Sequence, residues 1–275
     1  MPELPEVQTI VTGLNEILKG KTITNTYIYD DMVIGYPDKK QFIEKSKDKK
    51  IMSISRRGKY IIVNFDNNQY RLVIHLRMSG KLLYKERQEG REKHTHVVFE
   101  FNDNTDLRFN NVRKFGRLYF IEDDKFENAG NIDNLGLEPL SDKFSLKLFK
   151  EMLDKRKGMI KPLLMNQEFI AGIGNIYADE ALFLAEIRPD RKANNLKEKE
   201  IKALYKQLRK ILRKGIKMGG TSISDYVNAL GETGKFQKEL NVYQREGQKC
   251  KICGEEIQKK KISGRSTRFC PNCQK

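Results

Sequence analysis

The segment CKICGEEIQKKKISGRSTRFCPNC, residues 250–273, holds all four cysteines of the 275-residue chain. They form two Cys-x2-Cys pairs separated by 16 residues, and their spacing is typical of a four-thiolate zinc site. Two disulfides are the alternative, which a reducing cytosol disfavours. We therefore expect one structural Zn²⁺ whose ligands are Cys250, Cys253, Cys270 and Cys273.

The residues between the two pairs predict a β-hairpin. Turn residues occur at Gly254 and Gly264, on either side of a lysine-rich run. A segment this short cannot bury a core of its own, so the metal should supply the free energy that folds it. Four protein ligands leave the ion no position for a substrate, which makes the predicted zinc structural.

The last 85 residues of the chain are strongly basic. Residues 191–275 contain 22 basic and 8 acidic side chains, which supply +14 of the formal net charge of +16. This excess predicts a polyanionic partner, although a solvated lysine-rich surface is the alternative. The apolar runs are shorter than the roughly 18 residues of a membrane span, and no signal-peptide pattern follows Met1. A cytoplasmic protein is expected.

Helical periodicity marks the region that follows the turn-rich residues 134–141. Gly172 and Gly174 lie between two short helical segments and predict a sharp turn that places Asn175 at a helix start. Such an end suits a phosphate, although a plain helix-turn-helix corner fits the same pattern. Four segments are predicted to be helical: DKFSLKLFKEMLDKR, IKPLLMNQ, NIYADEALFLAEI and LKEKEIKALYKQLRKILRKGIKMG.

Period-2 hydrophobicity dominates the first 130 residues and predicts an antiparallel sandwich or barrel. The exception is PEVQTIVTGLNEILKG, residues 5–20, whose apolar spacing predicts an amphipathic helix that ends at Gly20. The predicted strands are KYIIVNF, YRLVIHLRM, THVVFEF, TDLRFNNV and GRLYFIE.

The first residues, MPELPEV, indicate a reactive group. Removal of Met1 by a methionine aminopeptidase would leave Pro2 with a free secondary amine. Pro2 and Glu3 stand directly ahead of the predicted helix, which should hold them in place.

Two further stretches stay ambiguous from the residues alone. GGTSISDYVNALGETGKFQ, residues 219–237, predicts a long functional loop that Tyr226 and Phe236 would partly order when a ligand binds. A mobile linker is the alternative.

His94 and His96 alternate along a predicted strand; without an evident third ligand they indicate surface or hydrogen-bonded histidines rather than a metal site.

Taken together, seven blocks of the chain resemble the formamidopyrimidine-DNA glycosylase (Fpg) family, and they occur in family order. The blocks are MPELPEV, RRGKY, HLRMSGKL, NVRKFGRL, AGIGNIYADEALF, GGTSISDYVNALGETGKFQ and the two cysteine knuckles. The resemblance implies a multidomain α and β fold: an N-terminal helix plus antiparallel β-sandwich, a helix-two-turn-helix domain and a zinc-finger β-hairpin. It implies boundaries at 1–133, 134–218, 219–245 (lesion-capping loop and connector) and 246–275.

The resemblance also implies the activity. Family members excise oxidised purines such as 8-oxoguanine and formamidopyrimidines from double-stranded DNA, and then cleave the strand at the resulting abasic site. Pro2 matches the family's nucleophile and Glu3 its catalytic carboxylate, whereas Glu6 is equally an acid/base group or an organiser of the N-terminus. A monomer that works at the bacterial nucleoid is expected.

Further site residues follow from the same resemblance. Met78, Arg113 and Phe115 match side chains that fill the space left by the everted nucleotide, and Arg113 would pair with the orphaned cytosine. Thr221 and Tyr226 belong to the lesion loop. The phosphate contacts would come from Lys59, His75, Asn175 and Arg265, although Lys59 also suits an exposed, solubilising position.

This sequence departs from the family pattern at Gln8, Asn111 and Asn166, where acidic residues are usual. Two other functions stay open: an endonuclease VIII-like glycosylase for oxidised pyrimidines, and a catalytically silent protein that binds damaged DNA. Leu4 argues against the first, because that branch usually has glycine there. The intact Pro2–Glu3 pair argues against the second. No role is assigned to Ser224 or Asp225.

Overall fold

The computed structural model describes residues 1–66, 69–223 and 226–275. The chain forms two compact units, each built from two stretches of sequence. The first comprises Met1–Asp133 and Gly219–Lys235, and the second Asn134–Met218 and Phe236–Lys275. Ser224 and Asp225 lie outside the described residues.

Helix α1, Leu4–Leu18, opens the first unit and confirms the predicted amphipathic helix. Its apolar face, which includes Val7 and Leu14, is buried. The side chain of Asn15 pairs with the backbone of Ile54 in both directions, with its amide donating at 2.5 Å and its carbonyl accepting at 2.7 Å. The helix is thereby fixed to a neighbouring strand, which holds the N-terminus in place.

Two sheets form the rest of the first unit and confirm the predicted β-sandwich. One has the order β1-β7-β8-β6 and the other β2-β9-β5-β4-β3. The pairs are antiparallel except β2 with β9, which run parallel. The bounds are β1 Ile23–Ile28, β2 Ile34–Tyr36, α2 Lys39–Ser46, β3 Ile51–Arg57, β4 Tyr60–Phe65, β5 Tyr70–His75, β6 Gly80–Glu86, β7 Thr95–Phe101, β8 Thr105–Asn111 and β9 Arg117–Glu122.

The core of this unit is apolar and continuous. Phe42 from α2 packs edge-on against Phe120 at a ring-centroid distance of 5.7 Å. Tyr226 and Ala229, from the far stretch of sequence, belong to the same core, and the carbonyl of Ala229 accepts a 2.8 Å hydrogen bond from Tyr84 N–H. Residues 219–223 and 226–235 therefore pack on the sandwich as an irregular but anchored segment.

Histidine placement corrects one detail of the predicted strand. Strand β7 begins at Thr95, so His94 precedes it and only His96 lies within it. His96 is buried, and its Nε2 lies 2.9 Å from the carbonyl oxygen of Asn111. The expectation of a hydrogen-bonded histidine is confirmed for His96.

Four helices dominate the second unit and confirm the predicted segments: α3 Leu146–Asp154, α4 Ile160–Met165, α5 Asn175–Leu184 and α6 Glu198–Lys217. Gly215 of α6 lies against the ring of Tyr177, where a Cβ would stand 2.6 Å from the tyrosine oxygen. Phe236 stacks on the same ring at 5.4 Å. The sequence placed Phe236 in the functional loop, but the structure buries it in this helical core.

The hairpin predicted between the cysteine pairs is confirmed as β10, Gln258–Ile262, and β11, Arg265–Phe269. Both residues of its turn have positive φ, 44° for Ser263 and 78° for Gly264, as a tight hairpin turn requires. Among the residues that the structure describes, no helix is long and apolar enough to cross a membrane.

A buried ion pair connects the helices of the second unit to this hairpin. Lys161 Nζ lies 2.7 Å from Asp179 Oδ1, and both side chains are almost fully buried. Lys161 also donates to Thr267 Oγ1 at 2.7 Å, and Asp179 accepts from Arg268 N–H at 3.1 Å. Burial raises the pKa of the Asp179 carboxyl, while the Lys161 ammonium acts in the opposite direction.

Substitution Lys161→Met should destabilise the protein by about 3–5 kcal/mol, because it leaves a buried carboxyl group without its cation. Urea unfolding measures the difference. Lys214→Met is the matched control: its ion pair with Glu239 is equally short, 2.6 Å, but is half-exposed, so it should cost less than about 1 kcal/mol. Equal losses for the two variants would contradict the structural role of the buried pair.

Candidate active site and nucleic-acid interface

A buried carboxylate organises the N-terminus. Glu6 lies in the first turn of α1 and is 2% exposed. Its Oε2 accepts the backbone N–H of Glu3 at 2.8 Å, and its Oε1 accepts the backbone N–H of Thr221 at 2.7 Å. A carboxylate in this turn also complements the helix dipole. Glu6 therefore joins the start of α1 to the loop that begins at residue 219.

Glycines allow that loop to lie directly on Glu6. Gly220 has φ +81°, and a Cβ there would stand 2.9 Å from Glu6 Cγ. A Cβ on Gly234 would stand 2.2 Å from the carbonyl oxygen of Gly220. Ser222 closes the loop, since its hydroxyl accepts from Gly234 N–H at 2.9 Å and donates to the Tyr226 carbonyl at 2.8 Å.

Tyr226 anchors the loop in the core. Its hydroxyl donates to the Gly219 carbonyl at 3.1 Å and lies 3.4 Å from the Glu6 carbonyl. Burial raises the pKa of this phenol, and the negative charge of Glu6 raises it further. The two predicted lesion-loop residues, Thr221 and Tyr226, are thus both buried and bonded to the region of Glu6.

Pro2 and Glu3 are held just ahead of α1, as the sequence predicts. Both are buried, and Glu3 has extended backbone at the N-cap position. Met1, by contrast, is 51% exposed and accessible to a processing enzyme. Glu3 thus places a buried carboxyl group in the residue next to the position of the mature amine.

Two predicted phosphate contacts adjoin the turn between β3 and β4. Lys59 is 6% exposed, so the alternative of an exposed, solubilising lysine is wrong. His75 pairs with Tyr60 across β4 and β5, and its Nδ1 accepts Arg77 N–H at 3.0 Å. Burial, together with the smaller effects of the Arg77 and Lys59 charges, lowers the His75 pKa to about 3. His75 is therefore a neutral imidazole whose Nε2–H can donate to an anion.

The three predicted void-filling residues are exposed, although methionine and phenylalanine are usually core residues. Met78 is 45% and Phe115 56% exposed. The Met78 sulfur lies 3.3 Å from Arg113 Nη1, which brings two of the three together. Exposed apolar side chains beside a guanidinium suit insertion between base pairs.

In the second unit, Asn175 and Arg265 are connected through the zinc hairpin. Asn175 begins α5 after the N-cap Gly174, and its amide donates to the Ser266 carbonyl at 3.1 Å. Arg265, the neighbour of Ser266, is exposed at the start of β11. This bond places the helix start and the hairpin tip side by side, so their donors can serve one phosphate backbone.

The four cysteines fit a zinc ion. Their sulfur atoms all lie within 4.8 Å of one another, with Cys250 to Cys273 at 3.9 Å and Cys253 to Cys270 at 3.5 Å. A tetrahedral ion with Zn–S bonds of roughly 2.3 Å separates its ligands by a similar distance. Four thiolates are a closed, structural donor set, so these residues hold one structural Zn²⁺.

Sequence reasoning missed the carboxylate that supports the zinc module. Glu180, fully buried in α5, accepts the backbone N–H groups of Asn241, Val242 and Tyr243 at 2.9–3.0 Å. The available signal was an acidic pair inside an otherwise apolar helix, in ADEALF. Glu180 fixes the chain as it enters the cysteine-bearing segment.

The three departures from the family pattern are amides, and each accepts a hydrogen bond through its side-chain oxygen. Gln8 Oε1 accepts from Arg56 Nε at 3.2 Å, and Asn166 Oδ1 accepts Glu168 N–H at 3.0 Å. Asn111 is fully buried and its Oδ1 accepts the Ser79 hydroxyl at 2.8 Å.

Comparison with known proteins covers nearly the whole chain. Residues 1–118 match the formamidopyrimidine-DNA glycosylase N-terminal domain, 135–227 the H2TH domain of the same enzymes, and 247–275 the zinc finger found in FPG and IleRS. A formamidopyrimidine-DNA glycosylase of Pelotomaculum thermopropionicum is 44% identical, with 100% of this chain and 99% of that protein aligned.

Solved structures of Lactococcus lactis Fpg are similar in both fold and sequence. A mutant bound to Fapy-dG-containing DNA superposes with a TM-score of 0.93 and 42% identity, over 100% of both chains. The wild-type enzyme bound to DNA that contains an oxidised pyrimidine gives 0.92 and 41%, again over 100% of both chains.

A β-sandwich with its N-terminus held at a helix start, a helix-two-turn-helix unit and a zinc hairpin together define a DNA glycosylase. More specifically, the chain belongs to the formamidopyrimidine-DNA glycosylase family. Its partner is DNA.

The stability of the protein should fall in acid partly through His75. An unfolded histidine titrates near about 6.5, so between that pH and about 3 the unfolded chain binds a proton that the folded chain does not. The free energy of unfolding therefore decreases as the pH falls through this window. The variant His75→Asn keeps an acceptor for Arg77 N–H but does not titrate. Between pH 7 and 4.5, its free energy of unfolding, measured in urea, should decrease by about 2 kcal/mol less than that of the wild type. Equal decreases in the wild type and the variant would contradict a buried, neutral His75.

Cys250→Ser should remove the zinc and weaken DNA binding together, because the hairpin that carries Arg265 depends on the ion. Metal analysis and a DNA-binding titration measure the two effects. Lys249→Ser, a change at the neighbouring exposed lysine, is the control and should keep the metal. Full zinc content in the cysteine variant would exclude the four-thiolate site.

Proposed function

We propose that this glycosylase excises oxidised purines, namely 8-oxoguanine and formamidopyrimidines, from double-stranded DNA and then cleaves the strand at the abasic site. The observation that carries the proposal is the position of Pro2 and Glu3, buried directly ahead of α1 and tied there through Glu6. Membership of the family supports the substrate class.

The nucleophile is the secondary amine that Pro2 acquires when Met1 is removed. An α-amine titrates near about 7.7–8.0, so a useful fraction is unprotonated at neutral pH. The nitrogen attacks C1′ of the deoxyribose, the glycosidic bond breaks, and the base leaves with the bonding electrons and then takes a proton. Because the nitrogen carries two carbon substituents, ring opening gives an iminium that stays positively charged.

Strand cleavage follows from that cation. The iminium acidifies the C2′ protons, and loss of one expels the 3′ phosphate in β-elimination. A second elimination then expels the 5′ phosphate. Glu3 is the group we assign to proton transfer at the sugar ring oxygen during ring opening. Glu6 acts as the organiser of the N-terminus, since both of its oxygens accept backbone N–H groups.

Access to C1′ requires the nucleotide to leave the base stack. Met78 and Arg113 enter the vacated space, Phe115 wedges the neighbouring pair, and Arg113 bonds the orphaned cytosine. Their exposure supports this role. The phosphates contact Lys59, His75, Asn175 and Arg265. Because His75 is neutral, it contributes a hydrogen bond rather than a charge.

The domain division that accompanies this function has four parts. Residues 1–133 form the catalytic sandwich, 134–218 the helical DNA-binding domain, 219–245 the lesion-capping loop and connector, and 246–275 the zinc finger. The irregular backbone of 219–223 and 226–235 and its hydrogen bond to Glu6 support the assignment of a loop that acts beside the N-terminus. The enzyme works as a monomer on nucleoid DNA in the bacterial cytoplasm.

Glu3→Gln should reduce base excision by about 10²–10⁴-fold, the usual loss when a general acid/base is removed, while leaving DNA affinity within about twofold. Single-turnover cleavage of an 8-oxoguanine:cytosine duplex and a binding titration measure the two quantities. Glu16→Gln, an exposed change on the same helix, should leave both unchanged.

Pro2→Gly should likewise lose excision but not DNA binding. Full turnover in the Glu3 or the Pro2 variant would refute the role assigned to that residue.

The same assay distinguishes the rival activities. The Lactococcus relative bound to an oxidised-pyrimidine duplex makes that lesion the relevant comparison. Faster excision of oxidised pyrimidines than of 8-oxoguanine would move this chain to the endonuclease VIII type of specificity, and binding without any excision would identify a silent DNA-binding protein.

A further inference from the structure

The connection between β8 and β9, residues 112–116, carries Arg113 and Phe115, and we call it the insertion loop. Its central residue, Lys114, has φ +53°, in the left-handed region that a lysine rarely adopts. Such a conformation persists only where the surrounding structure imposes it. The contacts that impose it therefore also set where Arg113 and Phe115 point.

An ion pair from outside the loop holds Lys114. Its Nζ lies 2.6 Å from Oδ2 of Asp30, which stands just after β1. The other oxygen of Asp30 accepts Met32 N–H at 3.1 Å, so the carboxylate is itself fixed by a capped turn. The Lys114 ammonium lowers the pKa of Asp30, which shows that this pair favours the charged form of the carboxylate. Asp30 is thus a rigid anchor for the middle of the loop.

A buried hydroxyl holds the start of the loop. Ser79 donates to Asn111 Oδ1 at 2.8 Å and accepts Arg113 N–H at 3.1 Å. Ser79 is 4% and Asn111 0% exposed, so neither bond competes freely with water. Since Ser79 directly follows Met78, one hydroxyl connects the backbones that carry two of the proposed inserting side chains.

His96 lies between these two anchors. Its Nε2 is 2.9 Å from the Asn111 carbonyl, and its Nδ1 is 3.8 Å from Asp30 Oδ2. The end of the loop is tied as well, because Arg117 Nη1 donates to the Gly116 carbonyl at 2.8 Å and to the Lys114 carbonyl at 2.8 Å. The insertion loop is consequently bonded at its start through Arg113 N–H, at its centre through Lys114 and at its exit through Gly116.

We propose that Asp30, Ser79 and Asn111 are positioning residues that preorganise the insertion loop for entry into the duplex. The proposal rests on the function proposed above for Arg113 and Phe115. None of the three positioning residues is required to touch DNA. Their effect is to keep Phe115 and Arg113 in one orientation before binding, so that the duplex does not have to order the loop as the base leaves the stack.

The test is Asp30→Asn, which keeps an oxygen to accept Met32 N–H but weakens the contact with Lys114. Glu89→Gln is the matched control, because Glu89 likewise accepts a backbone N–H, from Glu86 at 3.2 Å, and a lysine, Lys85 at 2.7 Å, away from the insertion loop in sequence. Each protein is mixed rapidly with a duplex that carries 2-aminopurine beside 8-oxoguanine, where its fluorescence reports unstacking by Phe115.

The wild-type protein and the Glu89 variant should show the same fluorescence rise, whereas Asp30→Asn should slow it by about two- to fivefold, the range that loss of one partly exposed ion pair gives. Its melting temperature and its affinity for undamaged DNA should match those of wild type. Ser79→Ala should slow the rise in the same way, and Ser79→Thr, which restores a hydroxyl, should recover it.

Wild-type kinetics in both Asp30→Asn and Ser79→Ala would overturn the proposal while leaving the proposed function intact. A wild-type protein that excises the lesion without any fluorescence rise would instead refute the insertion step itself, and the positioning role with it.

Discussion

The Glu6 carboxylate is the constraint on which the first unit's site depends. It joins Glu3 to Thr221, two positions far apart in sequence, through one hydrogen bond from each of their backbone N–H groups. A carboxylate buried to this extent is tolerated because its oxygens are satisfied by donors. Gly220 makes the arrangement possible, since any larger residue there would collide with Glu6. The same carboxylate therefore holds both the start of α1, beside the proposed nucleophile Pro2, and the loop that begins at residue 219.

Buried polar contacts also hold the backbone elsewhere in the protein, where exposed side chains have proposed roles. Asp179 and Lys161 fix the hairpin that presents Arg265, and Glu180 fixes the chain before the first zinc ligand. Preorganisation of this kind reduces the ordering that DNA binding must otherwise impose.

Much of the fold could be predicted from the sequence because the controlling signals are local. Period-2 strands, the amphipathic helix of residues 5–20 and the spacing of the cysteines each report a physical requirement within a short window. The parallel pairing of β2 with β9 could not be seen, since three residues of strand carry no periodic signal. The burial of Phe236 in the helical unit was likewise invisible, because only its long-range packing distinguishes it from a loop residue.

The residues of the proposed site were predicted less completely than the fold. Residue type alone would have buried Met78 and Phe115, and only their motif context indicated exposure. For Glu6, the first-turn position fitted two roles equally, and its contact with Thr221 supports the proposed role as an organiser of the N-terminus. Asp30 carried no signal at all, because its partner Lys114 is distant in sequence and is recognised only by its strained backbone. Long-range polar contacts are the part of this protein that pattern reasoning does not reach.

The proposed mechanism requires the amine of Pro2 to form a covalent bond with the sugar. Borohydride reduction during reaction with an 8-oxoguanine:cytosine duplex, followed by mass spectrometry of the N-terminal peptide, detects that bond. We expect a protein that lacks Met1 and a reduced DNA adduct on the nitrogen of Pro2. An adduct on a lysine side chain, or excision without any trapped complex, would contradict it.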